Sequence, residues 1–208
     1  MKFLLFVEGD TERGAAPDFL RRWLDPQLPS RVGIKPVKFK GIHDYLEDVA
    51  QKTEVRLSEP DVIAAIGLVD LYGLPLDYPK TASSPGQKIT HARDYITNLI
   101  PATLHERFRQ HFAVHEIEAW LLSNVAIFPR NVQKHMQNIP QPESVDFDTP
   151  PASRLATWYR QAGRRKYSKT IQALNLFPKL DPSMAYAKCP NLKSMLDEML
   201  GLAQAALT

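Results

Sequence analysis

The chain has 208 residues, 44% hydrophobic and 24% charged, with a formal net charge of +3 at pH 7. That length suits one domain with a packed core and a small appendage. No apolar run reaches the length of a membrane helix, and the first run is short and lacks a small-residue cleavage site, so neither a spanning helix nor a signal peptide is expected. Cys189 is the only cysteine, so no disulfide forms within the chain and a reducing cytoplasm is the expected compartment.

Phe3 to Val7 is continuously apolar and reads as a strand buried on both faces, as in the middle of a parallel sheet. It stops at Glu8-Gly9, where the glycine permits a tight turn. A helix follows from about Glu12 to Leu24, capped by Thr11 or Asp10, with Phe19, Leu20, Trp23 and Leu24 at helical spacing and Pro17 tolerable only near its first turn. Val32 to Lys40 alternates as a strand with one wet face, and Pro36 puts it near a sheet edge. His43 to Leu57 is an amphipathic helix.

Val62 to Val69 is a second buried strand that ends in a carboxylate, Asp70. Ligands in open α/β sheets bind beyond the carboxyl ends of the strands, so Glu8 and Asp70 are placed like site residues, side by side. Two adjacent carboxylates are costly unless a cation lies between them or one is protonated, and hard oxygen ligands suit Mg²⁺ or Mn²⁺. A polar loop runs from Leu71 to Gly86, then a helix from Lys88 to Leu99, with Pro101 as a break. Phe112-Ala113-Val114 is a third buried strand, followed by His115, Glu116 and Glu118. Two glutamates two residues apart point different ways on a helix, which predicts one direct ligand at most. His111 and His115, four apart, have no third ligand at a zinc spacing.

From Phe128 to Thr149 the chain is a proline-rich connector with one short helix near 131–137. Ala152 to Ala162 is helical through Leu155, Trp158 and Tyr159, and Asn191 to Leu207 closes the chain as an amphipathic helix. Between Pro150 and Lys188 the cations Arg154, Arg160, Arg164, Arg165, Lys166, Lys169, Lys179 and Lys188 face Asp181 alone. The densest run, Arg164-Arg165-Lys166-Tyr167-Ser168-Lys169, suits contact with a nucleic-acid backbone, with Tyr167 as a stacking or hydrogen-bonding aromatic. It suits a solvated surface loop equally well.

A strand ending in Glu-Gly-x-Thr-Glu, here Glu8 to Glu12, resembles the opening of TOPRIM domains, the metal-dependent module of topoisomerases, DnaG-type primases and OLD-family nucleases. Asp70 matches the first aspartate of the TOPRIM Asp-x-Asp, but Tyr72 stands at the second. Glu116, Glu118 or Asp77 is then left to replace it. The order Asp70 to Pro75, Glu116 to Leu122, and Lys166-Tyr167-Ser168-Lys169 before Cys189-Pro190 resembles more closely an uncharacterised bacterial TOPRIM-like family, often encoded beside an ATPase. The resemblance implies a Rossmann-like α/β fold, a mostly parallel sheet flanked by helices over residues 1–125, with a basic helical extension over 126–208. It implies Mg²⁺-dependent (or Mn²⁺-dependent) phosphodiester hydrolysis on nucleic acid. Asp70 and one of Glu116 and Glu118 would hold the metal, Glu8 would be a further ligand or the general acid/base, and Arg164, Arg165, Lys166 and Lys169 would hold the backbone. No P-loop is present, so ATP use would come from a partner protein. A non-catalytic binding module and a small-molecule phosphohydrolase are the alternatives, and an oligomer is compatible with either.

Overall fold

The computed structural model describes residues 1–71, 73–79, 81–82, 84–144 and 149–207. Tyr72, at the position of the second TOPRIM aspartate, lies outside them. The first part of the chain alternates strand and helix: β1 (Lys2–Val7), α1 (Asp10–Leu24), β2 (Gly33–Lys38), α2 (Ile42–Leu57), β3 (Val62–Asp70), α3 (Pro85–Leu99) and β4 (Phe108–Ala113). The rest is helical: α4 (Glu118–Leu121), α5 (Arg130–Gln133), α6 (Pro151–Gln161), a π-helical turn (Lys169–Ala173) leading into α7 (Leu174–Leu176), then α8 (Pro182–Lys188) and α9 (Pro190–Leu207). No helix among the described residues is long and apolar enough to cross a membrane.

The strands form one all-parallel sheet in the order β2-β1-β3-β4, with Val7 beside Lys38 on one side and Leu68 on the other. β1 and β3 are central, which is why both read as unbroken apolar runs. Side chains alternate across the sheet. Phe3, Leu5 and Val7 pack with α1 and the carboxyl-terminal helices, while Leu4 and Phe6 pack with α2 and α3. The result is helices on both faces, with the strand order diverging from β1 to either side. A crevice at that divergence is the expected ligand position. β2 is an edge strand, as Pro36 predicts: among the described residues no strand pairs with its outer side, where the missing N–H of Pro36 would matter.

Phe19 of α1 stacks on Trp120 with ring centroids 5.5 Å apart, and Phe177 meets Phe19 edge-on at 5.9 Å. Arg22 adds two hydrogen bonds, to the carbonyls of Leu180 and Phe177, each 2.7 Å. Helices after β4 therefore share one continuous apolar cluster with the sheet. Glu143 holds the start of α9: its carboxylate accepts from the backbone N–H groups of Asn191 (2.7 Å) and Leu192 (3.1 Å), supplying what a helix start lacks.

Several boundaries differ from the sequence expectation. α1 begins at Asp10 with Gly9 as its N-cap, and no side chain caps it, so neither Thr11 nor Asp10 has that role. Pro17 consequently sits in the helix interior, beyond the first turn. α3 starts earlier, at Pro85, because Ser84 and Gln87 close a reciprocal capping box. β4 begins at Phe108 rather than Phe112; its polar residues disguise the strand, but their polar groups are spent internally. His111 Nε2 lies 2.8 Å from Glu198 Oε2, and Arg109 Nε lies 2.6 Å from Glu198 Oε1. In β3, a Cβ on Gly67 would stand 2.3 Å from both Tyr45 Oη and Gln110 Oε1. Glycine there makes room for the buried Tyr45–Gln110 hydrogen bond over the strand.

Candidate functional site

Glu8 directly follows β1 and Asp70 ends β3, and because those strands are neighbours the two acids meet. The backbone N–H of Asp70 donates to Glu8 Oε1 at 3.1 Å, so the end of one strand orients the acid at the end of the other. Burial raises the pKa of Glu8, opposed by that amide and by the charge of Lys169. Asp70 is driven well above the ordinary carboxylate range, first by burial and then by the charge of Glu12. Its Oδ1 is buried with no hydrogen-bond partner among the described residues.

Glu12 also belongs to this cluster. It is 5% exposed in the first turn of α1, and burial raises its pKa, with Glu8 and Glu116 adding to the rise. A Cβ on Gly9 would lie 2.0 Å from Glu12 Oε2, so glycine at that turn lets the carboxylate fold back over the backbone. In the sequence Glu12 reads as a helix-start residue and as the end of the Glu8-to-Glu12 motif, not as a member of the acid cluster. Its signal was the four-residue spacing from Glu8 across a strand-to-helix turn, which returns both side chains to one end of the sheet.

Glu116 and Glu118 come from the turn after β4. Helix α4 begins at Glu118, with Ile117 as its N-cap, so the two glutamates are not successive positions of one helix. Both face Lys169: its Nζ is 2.7 Å from Glu116 Oε1 and 3.9 Å from Glu118 Oε2. Both glutamates therefore lie beside the same ammonium, although they leave the chain in different directions. Their states differ sharply. Glu116 Oε2 also accepts from the N–H of Ala152 in the first turn of α6, at 2.9 Å, so Glu116 has a partner on each oxygen. Glu118 is 0% exposed, neither of its oxygens has a hydrogen-bond partner, and burial pushes its pKa up to about 7 despite Lys169.

Lys169 opens the π-helical turn, a rare geometry concentrated at functional sites. Burial alone would lower its pKa. The carboxylates of Glu118, Glu116 and Asp70 outweigh that and hold it above the ordinary lysine value. Five carboxylates, Glu8, Glu12, Asp70, Glu116 and Glu118, thus share the field of one half-buried ammonium, an arrangement that folding alone does not favour.

The other residues singled out in the sequence are placed differently. Lys169 points into the acids. Tyr167 is 5% exposed, its ring lies edge-on to Tyr159 at 5.5 Å, and burial raises its pKa. It is therefore not presented to stack on a base, because its ring fills the core. Arg164, Arg165 and Lys166 are exposed on the loop after α6, with Arg164 Nε donating to Asn131 Oδ1 at 2.9 Å. Asp77 is exposed on the loop after β3. His111 is paired with Glu198, which leaves no His111–His115 zinc pair.

Among the described residues, no three His, Cys, Asp or Glu side chains are arranged to hold a metal ion. The donor chemistry nonetheless fits a hard divalent cation: oxygen ligands only, with buried and unengaged oxygens on Asp70 and Glu118. The side chains are disposed around Lys169 instead.

A family model described as a domain of unknown function, DUF4276, matches residues 7–200. No curated protein matches the chain. Among solved structures, the C-terminal region of the Xanthomonas campestris pv. campestris OLD protein is similar at 17% identity and a TM-score of 0.46, covering 99% of this chain and 95% of that one. The C-terminal region of the Burkholderia pseudomallei OLD protein is similar at 17% identity and a TM-score of 0.46, covering 95% and 98%.

Proposed function

The chain belongs to the DUF4276 family, and we propose that its acidic site hydrolyses phosphodiester bonds with the help of a divalent cation, nucleic acid being the substrate. One observation carries the reading: Asp70, at the carboxyl end of β3, and Glu118, just beyond the neighbouring strand β4, keep buried oxygens with no hydrogen-bond partner among the described residues. Unpartnered buried carboxylate oxygens are costly, and a cation is the group that relieves them. The Glu8-to-Glu12 motif and its resemblance to TOPRIM openings support the same reading.

Asp70 and Glu118 are the side chains that would hold Mg²⁺ or Mn²⁺. When bound, such an ion supplies Lewis-acid polarisation of a phosphoryl oxygen and acidifies a water. Glu116, tied to Lys169 and to the amide of Ala152, is a positioning residue rather than a ligand. The Lys169 ammonium offers charge to the non-bridging oxygens of a phosphate entering the cluster. Glu8 has Oε1 committed to the Asp70 amide, which leaves Oε2 to take a proton from water or return one to the leaving oxygen. Arg164, Arg165 and Lys166, all exposed, supply cations for the backbone beyond the scissile bond.

Lys169 also supports a second reading. Because its ammonium already offsets part of the buried charge, the site would persist without a metal in a non-catalytic binding module. Calorimetric titration of Mn²⁺ and Mg²⁺ separates the two. Hydrolysis requires saturable binding that weakens at least tenfold in Asp70→Asn, together with cleavage of single- or double-stranded DNA that is lost in Glu8→Gln. No saturable binding would leave the module.

A further inference from the structure

A second concave feature lies among the elements that carry Lys169. Its volume is about 280 Å³, and Phe128, Tyr159, Arg164, Gln172, Asn175 and Lys179 are among the residues around it. Its apolar part is built from nearly buried side chains: Phe128, Tyr159, Ile127 and Leu176. Its titratable side chains apart from Tyr159 are Arg164 and Lys179, both basic, and no carboxylate among the described residues lines it. An aromatic and aliphatic floor below cations and side-chain amides suits a flat heterocycle that carries an anion. The volume is at the small end for ligand pockets and has room for one base and its sugar.

The rim is organised. Asn131 Nδ2 donates to the carbonyl of Ala162 at 3.0 Å, and Asn131 Oδ1 accepts from Arg164 Nε at 2.9 Å, which leaves the guanidinium NH₂ groups for a ligand. The backbone N–H of Arg164 donates to the carbonyl of Tyr159 at 2.9 Å, which fixes the two residues next to each other. Gln172 Oε1 accepts from the N–H of Ser168 at 2.7 Å, which leaves its amide N–H groups as donors. Asn175 and Lys179 are exposed.

The cavity is tied to the acidic cluster by its own walls. Gln172 lies in the π-helical turn that begins with Lys169, and Tyr159 packs on Tyr167, whose pKa is raised in part by Glu118. We propose that this cavity is a base-binding subsite that takes one unstacked nucleotide next to the phosphate presented to the acidic cluster, making single-stranded nucleic acid the preferred substrate class. A base inside a duplex could not enter, because it would first have to leave its stack. The proposal extends the phosphodiester reading. Its test is run without divalent ions, so that either can fail alone.

Binding of fluorescently labelled oligothymidylate and of an abasic oligomer of equal length is compared by anisotropy in EDTA. One captured base corresponds to a preference for the base-bearing strand of at least fivefold, since aromatic contact with a base is worth ~1–3 kcal/mol. In Asn175→Trp, where an exposed position receives a side chain large enough to cover the cavity, that preference disappears while salt-dependent binding of the abasic strand remains. Lys179→Ala weakens the base-bearing strand more than the abasic one. Equal affinity of the wild type for both strands, absence of binding to either, or an unchanged preference in Asn175→Trp would each overturn the proposal. Failure of the metal titration would leave these results intact and remove only the hydrolytic reading.

Discussion

Glu118→Gln should make this protein more stable at neutral and alkaline pH and should leave it almost unchanged in acid. Glu118 is fully buried, neither oxygen is hydrogen-bonded, and its pKa rises from 4.5 to about 7. A folded-state pKa above the unfolded value means that the folded protein holds the proton more tightly. The stability this provides is complete below about pH 4.5 and is lost as pH rises through 7. At ~1.4 kcal/mol per pH unit, the loss is about 3 kcal/mol at pH 8. Glutamine has the shape of the protonated acid and does not titrate, so the variant keeps what the wild type gives up. Easing the neighbouring Asp70 adds to the gain with the same sign, because the Glu118 charge raises its pKa. For a chain of this size, ~3 kcal/mol corresponds to a rise in Tm of roughly 6–12 °C. Thermal unfolding in EDTA at pH 8 and at pH 4.5, wild type against variant, reads the difference. Equal Tm values at pH 8, or the same shift at both pH values, would refute the reasoning, since either result would show that Glu118 bears no buried charge at neutral pH.

Lys169→Met removes the ammonium that is bonded to Glu116 and lies 3.9 Å from Glu118, and divalent cations should then bind at least tenfold more tightly by calorimetry; weaker binding would show that Lys169 organises the ligands rather than competing with them. Glu143→Ala takes away the carboxylate that accepts from Asn191 and Leu192 at the start of α9, at a cost of about 2–4 kcal/mol in urea unfolding, because charge-assisted bonds to a helix start are lost and its amides are left bare. A wild-type midpoint in that variant would mean the helix start finds another partner. Gly67→Ala drives a methyl group into the Tyr45–Gln110 pair and should destabilise by about 2–3 kcal/mol, while an unchanged Tm would show that α2 shifts freely to accommodate it.

Much of this architecture is legible in the linear chain. Phe3–Val7 and Val62–Val69 are unbroken apolar runs because both faces of β1 and β3 are covered, and the carboxylate that ends each run marks the sheet boundary. The all-parallel order follows from strands separated by helical stretches, so Glu8 and Asp70 were predictable neighbours. Pro36 likewise announced an edge strand. Signals of this kind are local, since periodicity and a terminating charge lie within a dozen residues.

What lay beyond that range was settled by long-distance packing. Lys169 stood in a basic run that reads as a solvent-facing loop, yet it lies against Glu116 and Glu118, some fifty residues earlier, because α6 and the π-helical turn fold back over the end of β4. Tyr167 looked like a surface aromatic and is buried against Tyr159 by the same fold-back. Glu12 and the division of labour between Glu116 and Glu118 are equally tertiary: the first depends on the space that Gly9 leaves, the second on the amide of Ala152 reaching only one of the pair. Sequence alone determined which acids the sheet would deliver to one end. Tertiary structure decided which of them would be left buried and unpartnered, because burial and partner assignment depend on segments distant in the chain that close over the site.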